Sequence, residues 1–279
     1  MNVRSQHTWN SRSTALGSRL RSTIGKTKGS VVQRLRPDRL AFDLRIESEP
    51  AFQQVKAQTM LPFVRAAMLY EMVANSEKAT TPGDYVECGV WKGGAVGVMA
   101  LANIKHGGVR RQIHLFDAFD DICEPDPSLD GSDVIDATSE LVGHSNFSGR
   151  LEPVKGAYDR MGGHGTEAIC RELLVDNIGY PEEKLTFHKG WFQDTVPSAV
   201  QQATIGQIAI LRLDGDYYAS TKVCLDHLYD RVSPGGFVVI DDYGAYEGCR
   251  KAVSDFFAER SINPFLSYTD DVCRYWVKQ

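Results

Sequence analysis

The chain reads as an α/β protein: a mostly parallel, seven-stranded sheet with helices on both faces and an antiparallel hairpin at its C-terminal edge. Three observations predict this. Apolar strand-like runs alternate with helical stretches from residue 84 to residue 260, the rhythm of a parallel sheet. The last two strand-like runs, near 264–268 and 272–277, are joined too tightly for a helix between them and so pair antiparallel. Two apolar runs, Ile208–Leu213 and Phe237–Ile240, each end in acids: Asp214-Gly215-Asp216 and Asp241-Asp242. In open α/β sheets the carboxyl ends of the strands are where ligands bind, so these acids are read as parts of one site.

In chain order, a helical stretch at about 49–76 comes first, with enough apolar residues to cover one face and Pro62 suited to a first turn. Thr81-Pro82-Gly83 breaks it. A strand at Asp84–Val90 turns through Gly93-Gly94 into a helix reaching Ile104. Strands follow at 112–117 and 185–188, with helices at 163–178 and near 194–203. After the strand 207–213 come a helix at about 219–230, a turn at Ser233–Gly236, the strand 237–241 and a helix at about 246–260. Residues 118–162 interrupt the rhythm. They are long, polar and rich in Asp, Gly and Pro, as a lid or binding loop would be, or a plain surface insertion.

The net charge of −5 hides an asymmetry. Residues 1–40 hold nine basic side chains and a single acid, Asp38, while the remainder is strongly acidic. Residues 1–45 are therefore read as a basic N-terminal extension to a domain at 46–279. Its Ser/Thr-rich, acid-poor composition suits a transit peptide, an arm touching acidic lipid or glycan, or a loosely ordered extension. Nucleic acid is not an expected partner, because no aromatics beyond Trp9 interleave the basic residues. No apolar run approaches the length of a transmembrane helix. Six scattered cysteines without a C-x-x-C pair indicate no zinc site and point to a reducing, cytoplasmic compartment.

Chemistry concentrates at the strand ends. Glu87-Cys88-Gly89-Val90-Trp91-Lys92-Gly93-Gly94 lies where a strand becomes a helix, and glycines there let backbone approach a ligand. The spacing is not G-x-G-x-x-G; it looks like the E/D-x-G-x-x-x-G loop of S-adenosylmethionine-dependent methyltransferases. Asp117, ending the next strand, is placed to accept both hydroxyls of a ribose, or to cap a helix. Trp191 and Phe192 could stack on an adenine ring or belong to the core. Hard carboxylates without a softer ligand suit Mg²⁺, with Asp214, Asp241 and Asp242 converging if their strands are neighbours. An acid beside such a metal can serve as general base, and spacing does not separate Asp214 from Asp216 in that role. The same acids could instead cap helices and bind substrate without metal. His188 is the one histidine well placed at a strand end, where a packed role is the commoner one. G-x-S-x-G, Walker and H-E-x-x-H motifs are lacking.

Taken together, Tyr85–Gly94, His114–Phe119, Lys189–Thr195, Leu211–Thr221 and Ile240–Tyr243 resemble the macrocin O-methyltransferase family, over about residues 55–279. The resemblance implies a class I, Rossmann-like methyltransferase fold, S-adenosylmethionine as donor and Mg²⁺ as cofactor. It implies a metal site of Asp214, Asp241 and Asp242 with Asp216 as the catalytic base. It adds Thr59 and Met60 to the donor-binding residues, which are then Thr59, Met60, Glu87, Gly89, Val90, Gly93, Asp117, Trp191, Phe192 and Asp214. The expected acceptor is a small molecule or glycan with vicinal hydroxyls on a sugar, and a homo-oligomer is expected. A catechol or polyketide diol as acceptor, and a non-catalytic donor-binding module, are the rival expectations. The basic extension is not part of the resemblance, and the lid between 120 and 162 does not clearly match the family pattern.

Overall fold

The computed structural model describes residues 42–279, with side chains from Glu47 onward. Most of the expected basic extension thus lies outside the described residues. Helix α1 (Phe42–Val55) leads through a single 3₁₀ turn to α2 (Phe63–Lys78). Next come β1 (Asp84–Cys88), α3 (Gly94–His106), β2 (Ile113–Asp117) and α4 (Gly131–Val142). Helix α5 (Glu167–Arg171), continued by a π turn, precedes β3 (Leu185–Lys189), α6 (Phe192–Gln201), β4 (Ile208–Leu213) and α7 (Tyr218–Leu228). The chain closes with β5 (Val232–Ile240), α8 (Glu247–Arg260), β6 (Ser267–Tyr268) and β7 (Arg274–Val277).

The seven strands form one sheet in the order β3-β2-β1-β4-β5-β7-β6. The first five are parallel, while β7 runs antiparallel to both β5 and β6. This is the expected sheet, edge hairpin included. Strand β4 is buried along its whole length, so its apolar run is continuous rather than alternating. Successive side chains of the other central strands supply opposite cores. Tyr85, Phe237 and Val239 pack beneath α2 and α3 with Leu69, Val73 and Met99. Val86, Val238 and Ile240 pack beneath α6, α7 and α8 with Val196, Leu225 and Phe256.

Three expectations are corrected. The single helix expected over 49–76 is two helices, because Thr59 is extended and the residue before Pro62 disfavours helix. Leu61 N–H donates to Thr59 Oγ1 at 3.1 Å across the break. The turn expected at Ser233–Gly236 lies inside β5, where Gly235 N–H donates to Lys278 O and Lys278 N–H to Gly236 O. The insertion 118–162 carries its own helix, α4, and is tied down. Asp121 accepts N–H groups of Gly156 and Tyr158 at 2.9 and 3.2 Å, and Asp130 accepts that of Tyr218 at 2.6 Å.

The amino ends of the strands are riveted by Glu77. Its carboxylate accepts from Arg111 Nε at 2.6 Å, Asn103 Nδ2 at 2.9 Å and the Tyr85 hydroxyl, while Arg111 also caps the carbonyls of Thr81 and Gly83. These bonds hold the Glu77 carboxyl below its ordinary value even though burial opposes them. Glu77→Ala strands the Arg111 guanidinium, so urea unfolding should show a loss of about 3 kcal/mol. On the opposite face of β2, His188 lies 3.2 Å from the His114 ring nitrogen and stacks on Phe116. Burial, with His114 nearby, lowers the His188 pKa from 6.5 to about 4. A base held neutral in the fold but charged in the unfolded chain weakens the fold as pH falls from about 6.5 towards 4. Urea midpoints should therefore drop across that window, with a shallower slope in His188→Gln.

Candidate functional site

At the carboxyl ends of β1 and β4 the backbone comes into very close contact. Gly89 follows β1 with φ +95°, and a Cβ there would lie 1.7 Å from the carbonyl oxygen of Asp214. Only glycine fits that approach. Asp214 N–H donates to Cys88 O and Gly89 N–H to Phe116 O, so the strand ends lock together. Asp117 grips the glycine loop: Oδ2 accepts from Val90 and Trp91 N–H at 2.8 Å each, and Oδ1 from Phe119 N–H at 2.7 Å. Trp91, Phe119 and Asp216 all hold left-handed backbone, a concentration of strain at this one crevice.

The centre of the site is Arg212, whose side chain is 2% exposed in β4. One Nη contacts Glu87 Oε1 and lies 2.9 Å from Asp214 Oδ2; the other lies 2.7 Å from Asp241 Oδ1. A second arginine, Arg65 of α2, holds Asp241 Oδ2 at 2.7 Å and Asp270 Oδ2 at 2.6 Å. Asp216 and Asp242 have no arginine among the described residues; Asp216 N–H donates to Asp242 Oδ2 at 3.2 Å. The crevice therefore gathers more carboxylates than guanidinium groups. Burial pushes Glu87 up to about 8 despite Arg212. Burial and the charges of Asp214 and Asp241 raise Asp216 to about 7. Asp214 and Asp242 are raised too, burial again being the leading cause. Such a surplus favours taking up a proton or a cation.

Carboxylate oxygens of Asp214, Asp216 and Asp242 lie within 4.8 Å of one another. The expected set of Asp214, Asp241 and Asp242 differs by one member. Adjacent residues at a strand end point to opposite sides, so Asp242 turns towards Asp216 while Asp241 turns back onto the two arginines. Asp120, Asp121 and His164 also lie close together, but both Asp121 oxygens hold backbone of the 118–162 insertion and Asp120 pairs with Lys155.

Three lobes of one crevice meet at Gly89, Asp214 and Asp216. The first, about 510 Å³, is lined by Asp117, Trp191 and Phe192 together with Tyr158. The second, about 630 Å³, lies under Thr59 and Met60 and is lined by Glu87, Val90, Arg65 and Arg212. The third, about 780 Å³, is roofed by Val134, Thr138 and Leu141 of α4 and walled by Tyr158, Tyr217 and Tyr246. The expected donor-binding residues thus fall in the first two lobes, apart from Gly93. Gly93 caps the start of α3 with φ +87° and faces Cys170, while its neighbour Gly94 lines the second lobe. Sequence reading missed Arg65, Arg212 and the three tyrosines. Arg212 carried a signal, being a charge inside an otherwise apolar strand that must be paired. Chemically, two molecules held in adjoining lobes would meet beside a carboxylate whose pKa suits proton transfer at neutral pH.

The sequence profile of the family described as Macrocin-O-methyltransferase (TylF) matches residues 21–162 and 168–278, and so takes in the 118–162 insertion and part of the basic extension, both of which were expected to fall outside the family pattern. An 8-demethyl-8-(2,3-dimethoxy-alpha-L-rhamnosyl)-tetracenomycin-C 4'-O-methyltransferase of Streptomyces olivaceus is 35% identical over 221 residues, 79% of this chain and 75% of the relative. The mycinamicin III 3''-O-methyltransferase of Micromonospora griseorubida is 32% identical over 79% of this chain and 78% of its own. The structure of the O-methyltransferase NovP superposes with a TM-score of 0.63 at 30% identity, over 79% of this chain and 82% of that one. The calicheamicin methyltransferase CalS11 shares the fold at 17% identity, with a TM-score of 0.55 over 99% of both chains.

Arg212→Met leaves two buried carboxylates, Glu87 and Asp241, and the half-buried Asp214 facing no guanidinium from β4. Urea unfolding should show a loss of about 3–5 kcal/mol. Adding Glu87→Gln should restore part of it, because one of the uncompensated charges is then gone.

Proposed function

The chain belongs to the macrocin O-methyltransferase family of S-adenosylmethionine-dependent enzymes, and from that premise we propose that it methylates a hydroxyl of a sugar, free in a glycan or borne on a glycosylated natural product, with Mg²⁺ as cofactor. The observation that carries this reading is the meeting of three lobes at Asp214 and Asp216, with a surplus of carboxylates around them. The relatives' names specify the 4'-O position of a rhamnosyl tetracenomycin and the 3''-O position of mycinamicin III, and the rhamnosyl group in the first supports a sugar acceptor here.

S-Adenosylmethionine, when bound, supplies an electrophilic methyl group on a positively charged sulfur. We assign Asp117 to its ribose, Trp191 and Phe192 to its adenine, and the Thr59–Met60 loop with Glu87 to its methionine end, a reading supported by these residues lining the first two lobes. The donor set Asp214, Asp216 and Asp242 is all hard oxygen and fits a magnesium ion, which would hold neighbouring hydroxyls and acidify one of them. Asp214 and Asp242 are assigned to the ion. Asp216 takes the proton of the acceptor hydroxyl as the new C–O bond forms, in line with the C–S bond that breaks. As the carboxylate of the three that is not assigned to the ion, it is free to accept that proton. Lid residues over the third lobe hold the acceptor and exclude water, so most of the acceleration comes from positioning.

The three tyrosines of the third lobe also favour a second reading, a flat catechol or polyketide diol as acceptor. Incubation with a panel of sugars, glycosides and catechols, read by mass spectrometry for one added methyl, separates the two. Asp216→Asn should bind S-adenosylhomocysteine normally yet turn over about 100-fold or more slowly. An unchanged rate would take Asp216 out of the chemistry. EDTA should abolish turnover and Mg²⁺ restore it; full activity in EDTA would remove the ion from this account.

A further inference from the structure

The second lobe has a feature that the reaction itself does not use. The methionine end of the donor is a zwitterion, so its pocket must offer both an acceptor for an ammonium and a cation for a carboxylate. Glu87 answers the first need. It is 1% exposed, Oε1 faces Arg212, and Oε2 has no hydrogen-bond partner. Two cations line the lobe, Arg65 and Arg212. Arg212 is enclosed by Glu87, Asp214 and Asp241. Arg65 is more open, with its side chain 15% exposed. Its Nε and Nη1 are spent on Asp270 and Asp241, whereas its Nη2 meets no protein acceptor among the described residues. It stands in the first turn of α2, directly after the Thr59–Met60 loop that covers the lobe.

We propose that Arg65 is the receptor for the methionine carboxylate, and that engaging it loosens Arg65 from Asp241, so that donor and divalent cation bind cooperatively. This rests on the assignment of the second lobe to the donor. The physical basis is competition for one guanidinium. With Arg65 in place, both Asp241 oxygens face arginines, and its charge is largely cancelled. When a ligand carboxylate takes a share of Arg65, Asp241 Oδ2 is released beside Asp214 and Asp242. The neighbourhood becomes more negative and holds a cation more tightly. The reverse must follow by linkage: a bound cation competes for Asp241 and frees Arg65 for the donor. The released Asp241 also restores the Asp214, Asp241 and Asp242 grouping that the family resemblance implies.

Calorimetry on the full chain in EDTA tests the first half, with S-adenosylhomocysteine and 5'-methylthioadenosine as probes; the latter lacks the amino-acid end. Arg65→Gln should weaken S-adenosylhomocysteine by about 30-fold and Arg65→Lys by less, with 5'-methylthioadenosine held within about twofold in both. Equal losses for the two probes would mean that Arg65 only pins α2 to β5, and no loss would mean that it does not meet the carboxylate; either overturns the proposal. For the second half, Mn²⁺ binding is followed by electron paramagnetic resonance with and without S-adenosylhomocysteine. The unaltered chain should bind Mn²⁺ about tenfold tighter with the ligand present, whereas Arg65→Gln should bind tightly without it and gain nothing further. Coupling that survives in Arg65→Gln overturns the competition. If the unaltered chain binds no S-adenosylhomocysteine, the donor assignment itself fails, a result distinct from an Arg65→Gln protein that binds as well as its parent. Arg65→Lys, which keeps the charge at α2, guards against a folding defect being mistaken for lost recognition.

Discussion

A guanidinium buried in the middle of a parallel sheet is costly unless every neighbouring group is arranged around it, and Arg212 imposes that requirement here. Its register partner across β1 is Glu87, so the ion pair is built by strand pairing itself. Asp214, two residues further along β4, and Asp241, just beyond the end of β5, complete its surroundings. Breaking that arrangement would expose both a cation and three anions to an apolar interior. The strands bearing the site are therefore held in one register by the same charges that give the site its character.

Those charges do not balance, and the imbalance is useful. Two arginines face six buried or half-buried acids, leaving Asp216 and Asp242 without a guanidinium. Their raised pKa values express the surplus. A group near neutrality can hold or release a proton at ordinary pH, and a cluster of hard oxygens can receive a cation. The strained backbone at Trp91, Phe119 and Asp216 is sustained by the rigid sheet beneath and by the bonds that Asp117 and Asp242 make to it. The third lobe is built from a different layer. Residues 118–162 supply the roof of the third lobe; Asp121 ties the two ends of the segment together, and Asp130 and Asp133 hold it to the starts of α7 and α8.

Much of this was legible along the chain, because the signals involved are local. Strand–helix alternation reports a parallel sheet, and acids directly following apolar runs report strand ends that meet solvent and ligand. The break at Thr59–Pro62 was the exception among local signals. The helical apolar pattern runs through it, and the pre-proline restriction outweighs that pattern. The lid was legible only as an interruption, since α4 takes its place from contacts with the starts of α7 and α8.

Sequence by itself determined the sheet, its order of elements, the glycine loop after β1 and the four acids at the ends of β4 and β5. Each follows from residue type and near-neighbour spacing, which propensity and periodicity express directly. The tertiary structure alone decided how those acids divide. Asp241 turns to Arg65 and Arg212 while Asp216 joins Asp214 and Asp242, because partners as far apart as residues 65, 241 and 270 are chosen by packing. Electrostatic pairing acts through space, and no spacing along the chain encodes which charge will face which.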